Sequence, residues 1–238
     1  MKKSLLVGLL ILTSVCFVFG QSKNLDAETG IFIYLNGSET VMTEEEYLYY
    51  AISFETETYN KYKNDEFEWY DQFQKIKQNC DNAIANADFS STYSIVTGLE
   101  FGDYDFEKGG FPVSIPEGTF FPLGKCSYSS SVNYYSVFRK EIALSIDSFS
   151  DYNFLPMEKD VAKAFLQGRK DRYGNVDRNI TVQIKYKIAS YDSEEYKDFA
   201  DLAIPNNYLP IVGIIESITV YDFSDSNKAI ELGTLTIN

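Results

Sequence analysis

Residues 180–188 read Ile-Thr-Val-Gln-Ile-Lys-Tyr-Lys-Ile. Ile180, Val182, Ile184, Tyr186 and Ile188 fall on one face, while Thr181, Gln183, Lys185 and Lys187 fall on the other. A period of two is the mark of a strand with one face buried and one wet, the usual construction of an antiparallel sheet. The same alternation recurs on both sides of this stretch. Tyr93, Ile95, Thr97, Leu99 and Phe101 share a face, as do Phe111, Val113 and Ile115 beyond the Gly109-Gly110 turn. Ile142, Leu144 and Ile146 mark a strand within 134–147, and residues 211–223 and 229–237 form a last pair joined through 224–228.

Two short helices are expected among these strands. Pro156 opens the first, with Met157, Val161, Ala164 and Phe165 on one face and Gly168 at its end. Asp192 and Glu195 frame the second, which runs to about Leu202 and stops before Pro205.

The N-terminal side has a helical period instead. Thr43 stands three residues before Glu46, a capping-box spacing, with Met42 and Tyr47 at the flanking staple positions. Tyr47, Tyr50, Ala51, Phe54 and Thr58 then recur at helical spacing, and a fresh cap at Asp65 starts a second series through Trp69, Phe73, Ile76, Cys80, Ala83 and Ile84. Residues 43–87 therefore read as two helices with a break near Asn64. Ahead of them, residues 31–42 read as a hairpin: an apolar run Ile31 to Leu35, an Asn36-Gly37 turn and a return from Ser38. The expected fold class is α+β, a helical N-terminal segment packed on an antiparallel β-sheet or partly open barrel with two short helices.

The first twenty residues read as a secretory signal peptide of bacterial type. Lys2 and Lys3 precede an apolar run, Leu5 to Phe19, and Val18 and Gly20 stand at the −3 and −1 positions before Gln21. The run is shorter than the ~20 residues that span a bilayer comfortably. Lipid anchoring through Cys16 is the poorer fit, because Val15 precedes it where a small residue is needed. The expectation is a periplasmic or secreted single domain, residues 21–238, helical over 43–87 and mainly β over 92–238, with no membrane span after cleavage.

Charge and composition narrow the chemistry. The net charge is −14, and removal of the leader, which carries two lysines and no acid, takes it to −16. Nucleic acid is excluded as a partner on this balance, since phosphate binding needs clustered Lys and Arg. The chain has no histidine. That removes Ser-His-Asp and Cys-His nucleophilic sites, His-ligated zinc and histidine pH switching. No phosphate-cradling loop is present, so no cofactor is expected. Cys80 and Cys126 survive the leader, and in an oxidising compartment they are expected to pair.

Aromatic residues supply the candidate site. Tyr49, Tyr59, Tyr62, Trp69 and Tyr70 crowd the helical segment together with Tyr47 and Tyr50, in too many directions for one face to bury. Exposed together, such rings recognise glycans or proteins. The acidic groups Asp147 to Asp151 and Asp222 to Asp225 lack EF-hand spacing, so no metal is expected. The basic stretch Arg169 to Arg178 reads as a solvated loop with local ion pairs to Asp171 and Asp177. The functional expectation is an exported, non-catalytic binding or envelope-associated protein whose partner is an envelope protein or a glycan. The alternatives are a hydrolase using two carboxylates on a glycan and a structural subunit that assembles through its tyrosine-rich helices.

Overall fold

The structure, a computed structural model, describes residues 22–124, 127–129, 134–136, 141–192, 208–224 and 229–237. Among them are five α-helices: α1 (Ala27–Gly37), α2 (Glu44–Phe54), α3 (Thr56–Tyr62), α4 (Glu66–Ala85) and α5 (Lys159–Gly168). The strands are β1 (Lys23–Asn24), β2 (Tyr93–Phe101), β3 (Gly110–Ser114), β4 (Phe120–Pro122), β5 (Ser127–Ser129), β6 (Tyr134–Ser136), β7 (Glu141–Ile146), β8 (Phe154–Pro156), β9 (Asn179–Ile188), β10 (Tyr208–Asp222) and β11 (Ile230–Thr234). Residues 1–21, which include the expected leader and Cys16, lie outside the described residues, as do Cys126 and most of the helix expected over 192–202.

The protein is α+β, as its alternating and helical stretches require. One sheet runs β4-β7-β10-β9-β2-β3-β8, and β5 and β6 form a separate two-stranded antiparallel sheet. The alternating stretch β9 lies near its middle, antiparallel to β2 on one side and β10 on the other. The sheet is mixed: β7 is parallel to β10, and β1 is parallel to β2. β10 is long enough for two neighbours on one side. Its first half takes β7 and its second half takes β11, with a bulge between Ile215 and Ser217 bending it. The sheet thereby curls into a half-barrel, and Phe154 and Thr236 exchange backbone hydrogen bonds of 3.2 and 2.8 Å where β8 and β11 meet.

Helices fill both halves of the curl. α5 lies against the barrel interior through Phe165, whose ring sits 5.3 Å from Phe101 and 5.9 Å from Phe111. Its face differs from the expected one: Ala162 is buried and Val161 is exposed. Pro156 belongs to β8 and the helix starts three residues later, at Lys159, so its phase follows the packing of Phe165.

Residues 31–42 do not form a hairpin. Ala27–Gly37 is a helix capped by Asp26, whose side chain accepts from the Thr29 N–H at 2.8 Å. The Asn36 amide donates to the Ile84 carbonyl at 2.9 Å instead of turning the chain. α1 lies between the sheet and α4, which explains its β-like apolar run: a helix enclosed on several sides is apolar all round and loses its amphipathic signature. Gly30 permits the close approach, since a Cβ there would stand 3.0 Å from Leu123 Cδ1 and 3.3 Å from Ile142 Cγ2.

Cys80 carries a free thiol, in place of the expected bridge to Cys126. The α4 face that holds it points into the core, where its sulfur lies 3.8 Å from Met42 Sδ. Burial, with Asp81 and Glu28 nearby, pushes the thiol up to about 12.

Candidate functional site: an aromatic helical arm

The tyrosine-rich segment forms an arm of three consecutive helices. Thr43 caps α2 through a reciprocal capping box with Glu46, and Glu44, Glu45 and Glu46 oppose the positive end of the helix dipole. α2 ends at Phe54, where Glu55 leaves helical geometry, one break more than the sequence suggests. Asp65 caps α4 by accepting from the Glu68 N–H at 3.1 Å, so the break expected near Asn64 is real.

The two ends of α4 do different work. Its C-terminal half buries Ile76 and Cys80, while its first two turns bury nothing, and neither does α3. At about 1.5 Å per residue this twenty-residue helix is roughly 30 Å long. Its N-terminal half and α3 are joined by an aromatic cluster, whose Trp69 and Phe73 also pack against the edge of the main core. Trp69 stacks on Phe73 at 5.2 Å and meets the Tyr59 ring edge-on at 5.3 Å. Lys63 Nζ lies 5.2 Å above Tyr59 and Lys77 Nζ 5.9 Å above Phe73, covering the rings with cations.

The five expected aromatics separate. Tyr59 and Trp69 come together in the cluster. Tyr62 ends α3, half-buried beside Lys61 Nζ at 4.7 Å. Tyr49 stands apart on α2, its hydroxyl donating to Glu45 one turn back. Tyr70 points outward and is 62% exposed. Its neighbour in that direction, Phe67, is 83% exposed and escaped the sequence reading. A helical projection would have found it, since Phe67 falls about 160° from Trp69 at about 100° per residue. Tyr47 and Tyr50 are buried anchors: Tyr47 donates to Asp81 of α4, and Tyr50 donates to Glu28 of α1 at 2.5 Å. Burial first, and these carboxylates second, raise both phenols well above their ordinary value.

Hollows elsewhere among the described residues include two of note. A cleft of about 530 Å³ opens between α1, the end of α4 and β1, floored by Phe32, Ile33 and Tyr93. The carboxylate lining it is Asp88, which binds Lys23 at 2.9 Å. Hydrogen bonds from Ser91, then from Lys23 and Ser90, hold it well below the carboxylate range, the opposite of what a general acid requires. The second hollow, at about 170 Å³ beside Asp147 and Asp151, is smaller than the roughly 300 Å³ at which ligand pockets begin.

The basic stretch after α5 is a solvated loop over residues 170–175 with the expected local ion pair to Asp177, made by Arg169 at 3.4 Å, but Arg169 itself is not solvated. Arg169 is buried and pairs with Asp222, while its Nε donates to the Asp177 carbonyl at 2.7 Å. The pair also removes Asp222 from the acidic cluster at the end of β10. Arg178 binds Asp103 at 2.5 Å. Among the described residues no group of three or more acids or cysteines is placed to hold a metal, and no helix is long and apolar enough to cross a membrane.

Residues 43–168, from the capping threonine of α2 to the last residue of α5, match a family described as a domain of unknown function (DUF4852). No curated protein and no solved structure matches the chain.

Proposed function

We propose that this chain, which belongs to the DUF4852 family, is an exported, non-catalytic binding protein that docks on an envelope protein through the α3–α4 arm. The observation that carries the reading is the outward pair Phe67 and Tyr70 on the part of the arm, α3 and the first two turns of α4, that buries no residue. Two apolar anchors at i and i+3 on a helix are the pattern that a hydrophobic groove reads. A protein groove fits better than a glycan, because the Trp69 ring is already engaged by Phe73 and Tyr59 and offers no flat, open platform. Glu66, Glu68 and Asp71 surround the anchors, so the groove is expected to have a basic rim.

A photo-cross-linking residue placed at Tyr70 in native cells tests this, with the exposed Val161 as control site. One dominant protein captured from position 70 and absent from position 161 supports it. A glycan adduct, or equal capture from both positions, overturns it. Trp69 is the sole tryptophan of the chain, so its emission then gives the affinity directly.

A further inference from the structure

The second edge of β2 has a gap. β9 pairs with β2 from Tyr93 to Glu100 without a register shift. On the other side, β1 reaches only Ser94, and β3 begins only at Glu100. Residues 95–99 therefore have no strand beside them among the described residues. The sequence explains both margins. After Asn24 the chain turns away to the cap Asp26 of α1, and after Ser114 it meets Pro116, which has no N–H to continue a ladder.

Which backbone groups the gap leaves open follows from parity. The Phe101 N–H donates toward the β9 side, to the Arg178 carbonyl at 3.1 Å, and the Gly102 N–H donates the other way, to the Pro112 carbonyl at 2.7 Å. Alternate residues of a strand point their N–H and C=O groups the same way. Odd residues of β2 therefore serve β9, and Val96 and Gly98 point theirs into the gap. Val96 is 46% exposed and Gly98 is exposed. A Cβ added at Gly98 would have one neighbour within 4 Å, the Ile180 backbone oxygen at 3.9 Å, so the sheet face at this position is uncovered as well. Ile95 and Leu99, half-buried on the inner face, offer apolar contact to alternate side chains of a guest. Lysine, proline or a bulge usually guards such an edge, and residues 95–99 contain none of these.

We propose that this notch binds an extended peptide segment of a partner, which fills the sheet between β1 and β3 by strand addition. The notch itself selects a lone strand. At about 3.3 Å per residue it is roughly 17 Å long, and β1 and β3 stand on either side of it. A second copy presenting the same edge would bring its own flanking strands into collision with these, so two notches cannot mesh. The net charge of −14 favours a basic segment.

The test uses the folded chain and a blocked heptapeptide, Lys-Val-Thr-Val-Thr-Val-Lys, read by amide hydrogen exchange. Saturating peptide is expected to slow exchange at Val96 and Gly98 by at least about tenfold and to leave odd positions of β2 unchanged. Val96→Pro deletes one outward donor without touching the bonds to β9, and should weaken the peptide about tenfold. Val96→Lys, a surface change that repels the basic probe, should do the same if the proline variant does not fold. Slow exchange at Val96 and Gly98 without peptide overturns the proposal. So does an absence of protection with both this peptide and its glutamate-ended counterpart, or unchanged affinity in the variants.

Discussion

Arg169, just past the end of α5, and Asp222, the last residue of β10, form an ion pair that solvent barely reaches. The guanidinium also donates to the carbonyls of Asp177 and Asn179, so one side chain ties the end of α5 to the ends of two strands. Arg169→Met leaves a buried carboxylate without its partner, and the expected loss is ~3–5 kcal/mol. Adding Asp222→Leu should recover much of it. Urea unfolding midpoints of the three proteins check this, and a double variant no better than the single one would contradict it.

Gly109 and Gly110 are adjacent and should respond differently to alanine. Gly109 has φ +73° with open space around it, so Gly109→Ala costs only the left-handed backbone penalty, ~1–2 kcal/mol. At Gly110 a Cβ would stand 2.4 Å from the Leu155 carbonyl oxygen, inside the β3–β8 pairing. Gly110→Ala should cost clearly more and loosen β8. Thermal unfolding ranks the two.

Cys80 should behave as a closed thiol. In a Cys126→Ser background of the chain from Gln21, Ellman's reagent at pH 8 is expected to react with it only as fast as the protein unfolds. Immediate reaction would show that the α4 face is open.

Alkali should loosen the helical layer. The Cys80 thiol and the Tyr47 and Tyr50 phenols are all raised by burial in the folded chain. A raised group contributes stability that is complete below its unfolded value and is lost as pH rises past it. Unfolding free energy should therefore fall from about pH 9 upward, where an exposed thiol begins to ionise, and more steeply past about pH 10, where exposed phenols do. Tyr47→Phe, measured by urea unfolding at pH 8, 9.5 and 11, should flatten the decline.

The outward pair on α4 should contribute little to stability. Phe67→Ala with Tyr70→Ala is expected to change stability by no more than about 0.5 kcal/mol, as exposed substitutions do. Tyr59→Ala should shift the Trp69 emission to the red by opening its edge to water.

How legible each part was follows from where its information resides. β9 was readable because one face is buried throughout while the other reaches solvent at Asn179 and Lys187 and partly at Thr181 and Lys185, with Gln183 covered against expectation. The Thr43 and Asp65 caps were readable because capping is local. Ile31 to Leu35 was misread because enclosure between the sheet and α4 makes a helix uniformly apolar, and Asn36-Gly37 completes the resemblance to a hairpin. Tyr59 and Trp69 stood in the expected set, but their contact joins two helices and is tertiary. The cleft beside Asp88 and the gap beside Val96 left no trace in the sequence, since each is defined by what neighbouring chain segments fail to cover.

The meeting of Phe154 with Thr236 gives the curled sheet a clasp. β11 is zipped to β10 over four registered pairs, yet β8 holds its other side through one bridge. Pulled or warmed, the curled sheet should part along this line first, swinging β3 and β8 outward like a cuff while β9 and β10 stay joined. The width of the curl is thus set by its weakest ladder, and α5, which packs through Phe165 on Phe101 and Phe111 of the two strands nearest that ladder, should loosen as it opens.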